Sequence, residues 1–205
     1  MKVLFLGDIV GRSGREALNR HLHKINLDNQ IDFTIVNGEN AAGGFGITEK
    51  ICGELYNAGA NAITTGNHLW DQKEISKYIE KDNRLLKPYN SAEGTPGVGY
   101  NIFKTENDEK IVVINLIGNV FMKTNDNPFS KIDELMNKLK NENEVRFIFV
   151  DFHAEATSEK VAMGHHLNGR VTAVVGTHQH IPLSLIHISE PTRRYAISYA
   201  VFCLK

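Results

Sequence analysis

The chain has 205 residues, of which 41% are hydrophobic and 23% are charged, and this balance predicts one soluble globular domain rather than a disordered segment. The formal net charge of −1 excludes a general attraction to nucleic acid or to a membrane surface, so an anionic ligand has to be held locally. Two distant cysteines, Cys52 and Cys203, argue against a disulfide framework and favour the cytoplasm. The apolar N-terminal run breaks at Gly7 and Asp8, too early for a signal peptide or a membrane span.

Short apolar strands alternate with amphipathic helices along the chain. The pattern predicts an α/β fold with a layered sheet and helices outside it. Thr48 is expected to cap one of the helices at its N-terminus and Gly59 to end it. The predicted strands are 2–8, 32–40, 61–68, 110–118, 145–155 and 170–178, and the predicted helices are 15–24, 47–59, 71–80 and 131–142, with 88–101 as a loop.

Polar side chains that can bind metals stand at the carboxyl ends of these strands. In open α/β sheets the crevice beyond those ends is where ligands bind, so residues distant in sequence are expected to meet there. The residues concerned are Asp8, Glu39, Asn40, Asn67, His68, His153, His178 and His180.

Carboxylates, carboxamide oxygens and imidazoles without a thiolate suit iron, manganese or zinc. Seven of these residues, all but His68, are counted as ligands, which is too many for one tetrahedral ion, so two divalent ions are expected, bridged by Glu39 or Asp8. Two carboxylates only partly neutralise two such ions, and the surplus positive charge suits a phosphate ester.

The motifs GDIVG (7–11), NGEN (37–40), TGNH (65–68), the histidine of DFHAE (151–155) and GTHQH (176–180) occur in this order. Together they resemble the motif set of the calcineurin-like metallophosphoesterase superfamily. The stretches NGENAAGGFGIT, TGNHLWD, INLIGNVFM and DFHAEATSEK are similar to the bacterial family of YmdB-type 2′,3′-cyclic-nucleotide phosphodiesterases. The resemblance runs from Met1 to about Pro182 and implies a metallophosphoesterase-like sheet sandwich flanked by helices, incomplete at its C-terminus.

The resemblance also implies the role of each residue. One metal would be bound by Asp8, Glu39, Asn40 and His180, and a second by Glu39, Asn67, His153 and His178, with Glu39 as the bridge. His68 would be the general acid that protonates the leaving ribose oxygen, and a bridging hydroxide would be the nucleophile. Iron is the implied metal, with manganese or zinc as alternatives.

The expected activity is hydrolysis of a small phosphodiester such as a 2′,3′-cyclic nucleotide. Neither DNA nor a membrane is an expected partner, and the family resemblance implies a homo-oligomer whose contact region this chain lacks. Two alternatives stay open: hydrolysis of phosphomonoesters or other substrates by the same metals, and a regulator that binds metal and phosphate without turnover.

Two further segments carry expectations of their own. The glycine-rich loop AAGGFG (41–46) is a candidate for binding phosphate through its backbone N–H groups. Residues 183–205 match no motif of the family, which predicts a truncated metallophosphoesterase domain over 1–182 followed by a non-family tail of foreign sequence. A divergent hairpin is the alternative reading of that tail.

Overall fold

The computed structural model describes residues 1–123, 125–140 and 145–180, together with the backbone of 198–203. Strands and helices alternate through most of this length, as the sequence predicts. The strands are β1 (Lys2–Gly7), β2 (Phe33–Asn37), β3 (Ala62–Thr64), β4 (Leu85–Leu86), β5 (Tyr100–Lys104), β6 (Lys110–Ile117), β7 (Phe147–His153), β8 (Ala173–Thr177) and β9 (Ser198–Cys203). The helices are α1 (Gly11–Asn29), α2 (Glu49–Ala58), α3 (Ile75–Tyr78), α4 (Pro128–Leu139) and α5 (Thr157–His166), with a 3-10 turn at Leu69–Asp71.

These strands form two sheets. The first has the order β4-β3-β2-β1-β9, and the second has the order β5-β6-β7-β8. Strands β1 to β4 are parallel to one another, as are β6, β7 and β8, whereas β9 and β5 run antiparallel to their neighbours. Each sheet therefore gathers the carboxyl ends of its parallel strands at one edge.

Alternation along the strands separates the molecule into four layers, helices outside and two sheets inside. Val3 and Phe5 of β1 pack between the sheets, where the Phe5 ring lies 5.4 Å from that of Phe149 on β7. Leu4 and Leu6 point the other way and pack against α1 and α2. Helices α4 and α5 cover the outer face of the second sheet in the same manner. The predicted layered α/β sandwich is confirmed.

The helix ends of α2 follow the sequence signals. The Thr48 side chain accepts a hydrogen bond from the Ile51 N–H at 3.3 Å, and Gly59 ends the helix in the left-handed region at φ +117°. Both predictions for this helix are confirmed.

Other elements differ from the prediction. Helix α1 begins at Gly11 and is longer than 15–24, α3 is a single turn rather than a helix over 71–80, and β5 begins within the predicted loop. Helix α5 was not predicted, because its buried face carries Glu159 and Lys160 beside Met163 and so shows no apolar periodicity.

The predicted domain boundary at residue 183 lies outside the described residues. Beyond it, β9 pairs antiparallel with β1, from Ser198 opposite Gly7 to Cys203 opposite Lys2. Whether 183–205 is native sequence therefore stays a prediction. Within the described ranges, none of the helices has both the length and the hydrophobicity that crossing a membrane requires.

Candidate metal centre

Four strands bring the predicted ligands to one edge of the sandwich. Asp8 follows β1 directly, Glu39 lies two residues beyond β2, His153 is the last residue of β7, and His178 follows β8. Glu39 and His153 are completely buried although both are polar. A buried carboxylate next to a buried imidazole needs compensation from partners or a bound ion.

The space between the sheets becomes polar as it approaches this edge. Apolar Val113 and Phe149 are followed, two residues further along β6 and β7, by the buried Asn115 and Asp151. The same change occurs on the other strands because alternate residues share a face. The buried residues of this polar layer are Asn37, Thr64, Asn115, Asp151 and Thr177.

Three ligand atoms surround the Nε2 atom of His153. Asn67 Oδ1 lies 2.9 Å from it, His178 Nδ1 lies 3.0 Å from it, and Glu39 Oε1 lies 3.1 Å from it. Glu39, His153 and His178 each offer a ligand atom within 4.8 Å of the others. The four residues that the family resemblance assigns to the second metal therefore form one cluster.

The outer nitrogens of both histidines are held by acceptors. The Thr177 hydroxyl donates to Asp151 Oδ1 at 2.7 Å, so it accepts from His153 Nδ1–H at 3.0 Å. The Nε2 of His178 lies 2.6 Å from Glu155 Oε2 and donates to it. The neutral rings consequently present lone pairs on His153 Nε2 and His178 Nδ1.

Lone pairs of two imidazoles, one carboxylate and one carboxamide thus point at one small volume. None of these four ligand atoms donates a hydrogen bond, so the set fits a divalent cation. The neighbouring Glu39 carboxylate raises the pKa of His178, because the same negative field that attracts a metal ion also stabilises a proton. Burial alone would raise the pKa of Glu39, but His153 and His178 outweigh it and the pKa is well below its ordinary value.

Asp8 and His180 form a second pair at the same edge. His180 Nε2 lies 3.2 Å from Asp8 Oδ2, which also accepts from the His178 N–H at 3.2 Å. The Asp8 carboxylate raises the pKa of His180. The other oxygen, Asp8 Oδ1, is buried and has no hydrogen-bond partner among the described residues, which is what an oxygen reserved for a cation would show.

Backbone strain marks the same residues. Asp8 has φ +40° and His178 has φ +89°, in the left-handed region that side chains other than Gly rarely adopt. Such strain persists only where the surroundings determine the conformation. Both strained residues are candidate ligands that directly follow their strands.

Asn40 and His68 border the cluster. Asn40 Nδ2 donates to Glu39 Oε1 at 3.1 Å, and the His68 backbone N–H donates to Glu39 Oε2 at 3.4 Å. The His68 ring is turned to Asp71 instead, with Nδ1 at 2.7 Å from Asp71 Oδ2. His68 therefore lies beside the candidate ligands, while its imidazole contacts none of them in the part of the chain described.

Asp151 and Thr177 support His153 from behind. Asp151 is fully buried, and its Oδ2 accepts hydrogen bonds from Asn37 Nδ2 at 3.0 Å and from the Thr64 hydroxyl at 2.5 Å. Burial raises the pKa of Asp151 to about 6, although its three hydrogen-bond donors oppose this shift. Ionised Asp151 can only accept, and this fixes the direction of the hydrogen bonds up to His153.

Replacing Asp151 by Asn is expected to weaken metal binding by about 10- to 100-fold, as when the partners of ligating histidines are changed. The NH2 group of the new Asn can take the place of either carboxylate oxygen. At the Oδ2 position it would face two donors, from Asn37 and Thr64, whereas at the Oδ1 position it faces only the Thr177 hydroxyl. It therefore donates to Thr177, whose hydroxyl must then donate to His153 Nδ1. The imidazole proton moves to Nε2 and blocks the metal. Calorimetric titration of metal-depleted protein with Mn²⁺ measures the loss.

Thr177→Ser is the matched control, since it keeps the hydroxyl and should bind Mn²⁺ as the wild type does, while Thr177→Val should not. Thermal unfolding of each variant shows that the fold is retained. Wild-type Mn²⁺ affinity in Asp151→Asn would contradict the proposed link between Asp151 and the His153 tautomer.

The glycine-rich loop 41–46 does not form the expected phosphate cradle with most of its amides. The N–H groups of Ala41, Ala42, Gly44 and Phe45 donate to carbonyls of residues 38–46. The Arg15 guanidinium donates to the Ala41 carbonyl and pairs with Glu54, so it braces the loop. The interpretation of these four amides as anion donors was wrong, because they satisfy the turn itself.

Each of the eight residues predicted from sequence contacts at least one other of the set, and together they form one connected group. The roles assigned to them stay predictions. Sequence reasoning missed the roles of five residues that support the group, although all five lie within the motif stretches TGNHLWD, DFHAE and GTHQH. The five are Gly66, Asp71, Asp151, Glu155 and Thr177.

Comparison with known proteins adds independent information. The sequence model of the YmdB-like protein family matches residues 4–194. The chain is 48% identical over 181 residues to the 2′,3′-cyclic-nucleotide 2′-phosphodiesterase of Bacillus subtilis (strain 168), covering 88% of this chain and 67% of that protein. It is 37% identical over 203 residues to a Mycoplasma pneumoniae protein named as a phosphatase/phosphodiesterase, covering 95% of this chain and 70% of that one.

Solved structures agree with these relatives. A hypothetical protein from Thermus thermophilus superposes with a TM-score of 0.83 at 37% identity, over 93% of this chain and 72% of that one. A phosphatase from Mycoplasma pneumoniae also gives 0.83, at 36% identity, over 92% and 68% of the two chains. The chain spans about two thirds of the length of the relatives in sequence. With this much of the fold and sequence shared, the chain belongs to the YmdB-like protein family.

Proposed function

We propose that this chain is a metal-dependent phosphodiesterase that hydrolyses 2′,3′-cyclic nucleotides. The observation that carries the proposal is the cluster of lone pairs from Glu39, Asn67, His153 and His178 around one small volume, with the His68 backbone bonded to Glu39 at its border. The name of the Bacillus subtilis relative suggests the substrate and the bond cleaved, which joins phosphorus to the ribose 2′ oxygen.

Two divalent ions are proposed, held by the two ligand sets given above with Glu39 between them. The donor types suit iron, manganese or zinc. Bound there, the ions would supply hydroxide at neutral pH and stabilise charge on the phosphoryl group. The buried carboxylates of Glu39 and Asp8 hold the site negative, which favours cation binding.

His68 is proposed as the general acid. Asp71 binds the Nδ1 side of its ring, so Nε2 is the nitrogen available to a substrate. A proton given to the departing 2′ oxygen turns a poor alkoxide leaving group into a hydroxyl. Water adds to phosphorus, the bond to the 2′ oxygen breaks, and the product is a 3′-phosphomonoester.

The most informative test compares substrates. With Mn²⁺ or Fe²⁺ added, we expect a 2′,3′-cyclic nucleotide to be hydrolysed with a higher kcat/KM than a 3′,5′-cyclic nucleotide or a nucleoside monophosphate. Metal-depleted protein is the control, and it should be inactive until metal is returned.

Two results would overturn this assignment. Preference for the monophosphate would favour a phosphomonoesterase. Metal and phosphate binding without hydrolysis of any of the three substrates, by protein shown to be folded, would favour a non-catalytic regulator. We propose the cytoplasm as the site of action, in line with the buried free thiol of Cys52.

A further inference from the structure

Phe45 is an exposed aromatic side chain at the border of the candidate metal centre. Its side chain is 58% exposed, and its ring centroid lies 5.1 Å from that of His68, with an angle of 74° between the ring planes. A single exposed apolar side chain is ordinary on a protein surface, as Leu27 shows at 65% exposure. What distinguishes Phe45 is that its exposed ring contacts the candidate proton donor.

The backbone around Phe45 forms a hydrogen-bonded turn. Gly43, Gly44 and Gly46 all have positive φ, at +67°, +101° and +77°. The Ala42 N–H donates to the Gly46 carbonyl at 2.8 Å, which closes the turn that carries Phe45. The glycines allow this tight turn, and the ring points outward from it.

The same loop is joined to the segment that carries His68. The Gln72 amide donates to the Phe45 carbonyl at 2.9 Å. A Cβ atom on Gly46 would lie 2.9 Å from Gln72 Cγ and 3.0 Å from the His68 carbonyl, so only Gly permits this approach. Phe45 and His68 are therefore positioned together, on two segments that pack directly against each other.

We infer that Phe45 is a binding site for the nucleobase of the substrate, which stacks on its exposed ring. This inference rests on the proposed function, in which His68 protonates the ribose 2′ oxygen. The base is attached to the ribose carbon next to the one that carries this oxygen, so an aromatic ring beside His68 is within reach of the base. Phe offers no hydrogen bond, and the site accepts any of the bases because each has a π-face.

A competing explanation is that Phe45 only supports the His68 ring by its edge-to-face contact. The two explanations differ for a substrate without a base. Loss of stacking affects nucleotides alone, whereas a displaced His68 affects every substrate that needs its proton. A base-free cyclic phosphodiester with an alkoxide leaving group, glycerol 1,2-cyclic phosphate, separates them.

The test measures kcat and KM of Phe45→Ala on 2′,3′-cyclic AMP and on glycerol 1,2-cyclic phosphate, with Mn²⁺ present. Stacking of one base is worth about 1–3 kcal/mol, so kcat/KM for the nucleotide should fall by about 5- to 150-fold, mainly through KM. The base-free substrate should change by less than about twofold, and Phe45→Tyr should restore nucleotide binding. Leu27→Ala, which removes a 65% exposed side chain from α1, is the matched control and should behave as wild type.

Equal losses on both substrates, or no loss on the nucleotide, would overturn the inference. Failure of the proposed function looks different, because the wild type would then hydrolyse neither substrate. In that case the stacking site can still be tested by binding. The affinity of metal-loaded protein for 3′-AMP is compared with its affinity for inorganic phosphate. A Phe45→Ala variant that binds 3′-AMP as tightly as the wild type would rule out the stacking site.

Discussion

Replacing Gly66 by Ala should abolish metal binding, with the affinity for Mn²⁺ falling by more than about 100-fold, beyond the range for substitutions that only touch a ligand's partner. A Cβ atom on Gly66 would lie 2.2 Å from Glu39 Oε2 and 2.4 Å from His153 Nε2, where ordinary contacts are 3.4–4 Å. Both side chains are completely buried and hold each other at 3.1 Å, so neither moves away without breaking the cluster. One methyl group therefore displaces two of the four clustered ligands.

Gly53→Ala is the matched control. Gly53 lies within α2, and a Cβ atom built there meets nothing within 4 Å. We expect this variant to bind metal as the wild type does and to gain about 0.5–1 kcal/mol of unfolding free energy, since Ala is better than Gly inside a helix. Metal content after dialysis and thermal unfolding are measured for both variants. A Gly66→Ala protein that keeps its Mn²⁺ affinity would show that the cluster is not a metal site.

The layered fold could be predicted because the ends of its strands are visible in the sequence. Residues such as Val3 and Phe149 lie in apolar runs, and each run closes on polar residues, as at Asp8 and His153. Parallel strands bring such ends together, so the sequence order of the motifs was enough to place the candidate ligands at one edge.

The residues that support the ligands could not be predicted in this way. Thr177 is an ordinary residue of a strand until the fold sets its hydroxyl between Asp151 and His153. Glu155 acquires a role only because the turn at His178, with φ +89°, brings the two side chains within 2.6 Å. Such roles depend on contacts between strands, which no local pattern encodes.

Helix α5 was missed for a related physical reason. Glu159 on its buried face accepts hydrogen bonds from the Asn119 and Val120 N–H groups, at 2.9 and 3.3 Å. The buried face of α5 therefore binds a loop through hydrogen bonds rather than through apolar contacts. Such a helix lacks the amphipathic periodicity from which helices are predicted.

His68→Ala is expected to lower kcat for a 2′,3′-cyclic nucleotide by about 10²- to 10⁴-fold, the usual contribution of a positioned general acid, while bound metal stays constant. The His68 ring contacts Asp71 and Phe45, and the link to Glu39 runs through the backbone N–H, which Ala retains. Removing the imidazole therefore removes a proton donor and leaves the metal ligands in place. Steady-state assays measure kcat, and metal analysis of the same preparation measures the bound metal.

A substrate with a better leaving group separates proton donation from other roles of His68. A p-nitrophenyl phosphodiester releases a phenolate that is stable without a proton, so His68→Ala should lose much less activity on it than on the nucleotide. Asp71→Asn keeps an acceptor for Nδ1 but removes the negative charge, and it should show the same preference with a smaller loss. Equal losses of activity of His68→Ala on both esters, or a loss of bound metal in this variant, would mean that His68 supports the metal centre rather than protonating the leaving oxygen.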